Sequence, residues 1–65
     1  MFVEDVVLGG LKAQPWWFVS DDLLRRDSKT GDAADVAKQI ADSNDLRYER
    51  TQNGGVKGYK FWRIE

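Results

Sequence analysis

Residues 32–41, DAADVAKQIA, and residues 46–64, LRYERTQNGGVKGYKFWRI, decide how this chain is read. In the first stretch Ala33, Val36, Ala37, Ile40 and Ala41 recur at three- and four-residue spacing. That is the stripe of a helix burying one side. It predicts a helix over 33–43, capped by Asp32 or Thr30 and ended by Ser43-Asn44-Asp45. Asp35, Lys38, Gln39 and Asp42 then face outward. In the second stretch Leu46–Gln52 and Tyr59–Ile64 alternate as strands, and Asn53-Gly54-Gly55 between them tolerates the positive φ of a hairpin turn. Gly58 allows a bulge or a longer tip.

Working back towards the N-terminus, Phe2, Val3, Val6, Val7 and Leu11 give residues 2–13 a helical apolar side. Gly9-Gly10 weakens that helix, which is expected to end or bend there, because each interior glycine costs about 1 kcal/mol. Pro15 stops any continuation. Trp16–Val19 is aromatic and β-branched and reads as a short strand. Ser20 follows as an N-cap, with Asp21 and Asp22 in the first turn of a short helix and Arg25 and Arg26 in its last, as the helix dipole favours. Leu23 and Leu24 are its inward residues, and Ser28–Gly31 is a turn.

The chain has 65 residues, no cysteine and no histidine. These absences remove disulfides, the usual zinc ligands and every Cys–His or Ser–His pair, so no metal site and no cofactor is expected. The core must come from apolar packing, and three Trp, three Phe and two Tyr suit that need. No apolar run approaches the roughly 20 residues of a membrane span. Glu4 and Asp5 stand where a signal peptide carries cations, so a cytoplasmic protein without membrane association is expected. The net charge is −1, which argues against a strongly basic, non-specific nucleic-acid binder. The charge is uneven, however. Residues 46–64 hold Arg47, Arg50, Lys57, Lys60 and Arg63 against Glu49 alone, a basic end on an acidic body that hints at an anionic partner.

The order helix, short strand, helix, turn, helix, strand, loop, strand resembles a winged helix-turn-helix domain. The resemblance rests on that order, on Asp32–Ala41 running into Leu46-Arg-Tyr-Glu-Arg, and on the terminal glycine-bearing hairpin. It covers nearly the whole chain, whose size is also similar to that of small phage-encoded regulators. It implies an α+β fold of one domain over residues 1–65: three helices, a C-terminal β-hairpin wing and a short extra strand. The function it implies is DNA binding, as a repressor, excision factor or replication accessory protein. A module this small binds DNA weakly alone, so a homodimer is a candidate assembly.

On that resemblance residues 32–43 form the recognition helix, which winged domains lay in the major groove. Lys38 and Gln39 then reach base edges, while Lys29 and Thr30 touch phosphate. Arg47, Arg50, Lys57, Lys60 and Arg63 place cations on the wing, and Asn53 at its tip meets a base or sugar edge. Asp32, Asp35 and Asp42 depart from the pattern, because carboxylates near phosphates are repelled. They support an alternative, an adaptor or inhibitor docking on another protein through its acidic helix or through exposed aromatics. The structural reading of the same charges is a solvated helix and a soluble edge strand.

The aromatics of the last strand occupy both its faces: Tyr59 and Phe61 on one, Lys60, Trp62 and Ile64 on the other. The preferred reading packs Trp62 and Ile64 with Trp16, Phe18 and Leu46, leaving Tyr59 and Phe61 to cover the hairpin's back. Of Trp16 and Trp17, one is expected in the core and one at its rim. Exposed aromatics here would suit stacking on single-stranded bases or a protein-binding patch. Catalysis finds little support. Glu4-Asp5 and Asp21-Asp22 are adjacent pairs whose side chains diverge on a helix. Gly54–Gly58 sits in a hairpin and lacks the helix start of a phosphate-binding loop.

Overall fold

The computed structural model describes residues 2–29 and 31–64. The described residues form a small α+β domain with the order α1 (Val3–Ala13), β1 (Trp16–Ser20), α2 (Asp21–Arg26), α3 (Ala33–Asn44), β2 (Leu46–Asn53) and β3 (Val56–Arg63). The strands make one antiparallel sheet in the order β1-β3-β2, so the short N-terminal strand closes on the C-terminal one. No helix among the described residues is long and apolar enough to cross a membrane.

The helices start where the sequence places caps. Ser20 Oγ accepts the Leu23 N–H at α2, and Asp32 Oδ1 accepts the Ala34 N–H at α3. Of the two cap candidates, Thr30 lies outside the described residues. At α1 the N-cap is Phe2, whose side chain makes no cap bond. A carboxylate from a distant element substitutes: Asp27, just past α2, accepts the Val3 N–H. Asn44 Nδ2 then ties the end of α3 to α1 through Glu4 Oε2 at 2.8 Å. In the turn before α3, Ser28 Oγ accepts both the Gly31 and Asp32 N–H groups. Asp45 closes α3 in the left-handed region at φ 54°, its N–H donating to Ala41 O.

The core lies between the helices and one face of the sheet. It contains Val3, Val7 and Leu11 of α1, Leu24 of α2, the Ala33, Val36, Ala37, Ile40 and Ala41 stripe of α3, and Val19, Leu46, Tyr59 and Phe61 of the sheet. Trp17 and Leu23 pack against it part-buried. The hairpin register explains the choice of face. Phe61 stands opposite Trp17 on one side and Tyr48 on the other, and Tyr59 stands opposite Val19 and Arg50. Cross-strand partners share a face, so Val19, Tyr59 and Phe61 form one apolar row under the helices.

Several expectations need correction. The expected face of β3 is reversed: Phe61 is completely buried, while Ile64 lies beyond the strand at 50% exposure and Trp16 at 40%. Phe2 precedes α1 and points out at 70% exposure, so it is not part of that helix's buried side. The Gly9-Gly10 pair neither ends nor breaks α1, which runs on to Ala13. Gly58 makes no bulge. The ladder passes through it without interruption, paired with Ser20 and Thr51. Glycine is needed there because β1 approaches closely: a Cβ would press on the Val19 carbonyl and lie 2.8 Å from Phe18 Cζ. The turn is the two-residue Gly54-Gly55, at φ 59° and 82°, as a type I′ turn requires of both positions.

Candidate nucleic-acid interface

β1 ends at Ser20, opposite Gly58. Beyond that point β2 and β3 pair only with each other, Gln52 with Lys57 and Asn53 with Val56. The hairpin therefore projects past the three-stranded sheet as a two-stranded tip carrying Gln52, Asn53 and Lys57. This projection follows from the strand lengths: five residues in β1 against eight in each hairpin strand, the last strand starting at Val56 and not at the expected Tyr59.

At the base of that tip the hairpin faces the first turn of α3. One open cleft is lined by Asp21, Arg25, Gly31, Asp32, Ala33, Ala34, Arg50 and Tyr59. Arg50 is its central cation. Its Nη1 donates to Asp21 Oδ1 at 2.8 Å, and its guanidinium stands 5.2 Å from the centre of the Tyr59 ring. Asp21, 7% exposed, also lies 3.9 Å from Arg25. The hydrogen bond to Asp21, then that to Tyr59, raises the Arg50 pKa above its ordinary value. The side chain is thus charged at every working pH and held by a fixed partner.

The other predicted residues separate into groups. Lys38 follows Ala34 by four residues on α3, so it shares the cleft side of that helix. Gln39 lies on a different side, lining a groove with Phe2, Val3, Glu4, Asp27, Val36, Ile40 and Ser43. Lys29 is exposed in the turn leading to the cleft, and Thr30 lies outside the described residues. Lys57 has the same strand phase as Tyr59, towards the helices, and Asn53 is exposed beside the turn. The hairpin cations do not form one surface. Arg47 and Lys60 stand on the opposite face of the sheet, beside Trp62 and Trp16, and Arg63 sits at the far end of β3. Arg47, Lys57 and Arg63 form no ion pair with a described carboxylate.

The sequence reading missed the Asp21–Arg50 pair and the Tyr59 ring beneath it. Asp21 was accounted for by the helix dipole alone. The pair depends on the register, which sets Arg50 opposite Tyr59 and Tyr59 opposite Val19, two residues before Asp21. No group of three or more acidic residues able to hold a metal ion occurs among the described residues. No protein-family model matches the chain, and no curated protein or solved structure shows significant similarity to it.

Proposed function

We propose that this chain is a winged helix-turn-helix protein that binds duplex DNA through α3 and the β2–β3 hairpin. The observation that carries the reading is the cleft in which Arg50 of the hairpin faces the first turn of α3. The exposed Lys29 precedes the cleft in the turn before α3, Lys38 lies one helical turn after Ala34 of the cleft, and Lys57 lies two residues before Tyr59 on β3. The projecting tip with Asn53 is the part that would follow the minor groove or straddle phosphates, while Lys38 enters the major groove with the helix. Asp35 and Asp42 limit how deeply α3 itself engages, so the hairpin supplies most of the phosphate contact.

A salt series with labelled duplex DNA tests this. If Lys29, Lys38, Arg50 and Lys57 each neutralise one phosphate, log K falls with log salt at a slope of about −3 to −4. Absence of binding at low salt sinks the reading. A second reading is docking of a basic protein on the acidic side of α3. It is favoured by the groove along α3 in which the exposed Phe2 adjoins two carboxylates, Glu4 of α1 and Asp27 just past α2. Charge reversal at Arg50 and Lys57 separates the two, because only duplex binding depends on those cations.

A further inference from the structure

The helices cover one face of the sheet, and the other carries an ordered set of aromatics and cations. Its rows follow from the register. Trp16, Trp62 and Arg47 stand side by side across β1, β3 and β2, and Phe18, Lys60 and Glu49 form the next row. Three adjoining depressions form a line on this side, the first of them opening at the end of the sheet beside α1 and the other two on the face itself. The first is lined by Leu11, Pro15, Arg47, Trp62 and Arg63. The second has Trp62, Trp16, Lys60, Glu49 and Pro15. The third has Trp16, Phe18 and Lys60 with Thr51, Gln52 and Asn53. Each shares residues with the next, so they join into one track from Arg47 to the hairpin tip. Lys60 Nζ lies 5.4 Å from the Trp16 ring centre and 6.0 Å from that of Trp62.

We propose that this track binds a single strand of DNA, with bases stacked on Trp62, Trp16 and Phe18 and phosphates met by Arg47, Lys60 and Arg63. Aromatic rings in series with interleaved cations are the two components of single-strand binding without strict sequence choice. Arg47 and Lys60 against Glu49, with Arg63 lining the end of the track from the strand phase of Phe61, make the track positive on a chain whose net charge is −1, which matches a polyanion. The same charge disfavours a second copy of the chain, since a two-fold contact would set one positive track against another. Thr51, Gln52 and Asn53 offer amide and hydroxyl groups to base edges at the tip. The track shares the hairpin tip at Asn53 with the duplex reading but none of the residues that line the α3 cleft. Only the choice of DNA over RNA rests on the duplex reading above.

The probe is a dye-labelled twelve-residue oligothymidine, followed by anisotropy and by quenching of tryptophan fluorescence. Saturable binding with quenching is expected. Trp16→Ala should weaken it about tenfold or more, the loss of one stacked base. Lys60→Glu should weaken it comparably without touching the core, and thermal melts establish that both variants fold. A Lys38→Glu, Lys57→Glu double variant should lose duplex binding and keep the oligothymidine, which distinguishes failure of this site from failure of the other. The proposal is overturned by the absence of quenching at low salt, by affinity unchanged in both Trp16→Ala and Lys60→Glu, or by tighter binding of the matching oligouridine.

Discussion

The indole of Trp17 lies directly against the backbone of α1 at Gly10, with no room for a side chain between them. A Cβ at Gly10 would lie far inside van der Waals contact with Trp17 Cδ2, whereas one at Gly9 would meet nothing within 4 Å. The two adjacent glycines therefore have opposite roles. Gly10 lets β1 pack onto α1 through its aromatic residue. Gly9 is exposed helix interior with no packing reason to be glycine. Gly9→Ala should stabilise the protein by about 0.5–1 kcal/mol, the ordinary gain in helix propensity. Gly10→Ala gains the same propensity but must displace Trp17, an overpacking cost of about 1–3 kcal/mol that outweighs it. Chemical denaturation of the two variants should move the midpoint in opposite directions.

Asp45 offers a second conformational test. It holds φ 54° at the end of α3, where a carboxylate also faces the negative end of the helix dipole. Asp45→Gly removes both penalties. The expected gain is about 1 kcal/mol, tempered by the extra freedom glycine has in the unfolded chain. A raised melting temperature at low salt, with a smaller gain at high salt, would identify the dipole's share. An unchanged or lowered melting temperature would show that the side chain is needed where it stands.

Much of this architecture was legible because its signals are local. The α3 stripe, the Ser20 and Asp32 caps and the Gly54-Gly55 turn each involve residues within one turn or one hairpin. The element order follows from them. What could not be read is the information carried by register and by distant partners. Tyr59–Ile64 is apolar on both faces, so periodicity alone cannot decide which face is core. That is settled by Val19 standing opposite Tyr59 across β1 and β3. The Asp27 contact that starts α1 spans 24 residues, and the Asp21–Arg50 pair spans 29. The same limit applies to the candidate site. Alternation already separates Arg47 from Arg50 and Lys60 from Lys57, but only the pairing shows which of these cations share the helix side.

The core assignment predicts a sharp asymmetry between two neighbouring apolar residues. Phe61 is fully buried between Trp17 and Tyr48, so Phe61→Ala should cost about 3–5 kcal/mol. For a domain this small that approaches the whole stability. Ile64 is half-exposed beyond β3, and Ile64→Ala should change stability by less than about 1 kcal/mol. Circular dichroism melts decide the matter. An unfolded Ile64→Ala variant beside a folded Phe61→Ala would mean that the opposite face is the core.

The Asp21–Arg50 pair separates two kinds of cation on the hairpin. Arg50 is tied into the fold by a 2.8 Å bond to a buried carboxylate and by the Tyr59 ring, whereas Lys57 is exposed and has no described ionic partner. Arg50→Glu should therefore lower both duplex affinity and melting temperature, because it sets a second carboxylate against Asp21. Lys57→Glu should lower affinity and flatten the salt slope while leaving the melt nearly unchanged. Arg50→Lys is the finer probe. It keeps the charge but loses the forked geometry that lets one guanidinium edge hold Asp21 while another meets a phosphate. Its salt slope should stay close to that of the parent while its affinity falls. Affinity as well as slope unchanged in Arg50→Lys would instead show that Arg50 acts as a diffuse charge, with no role for the position that Asp21 gives it.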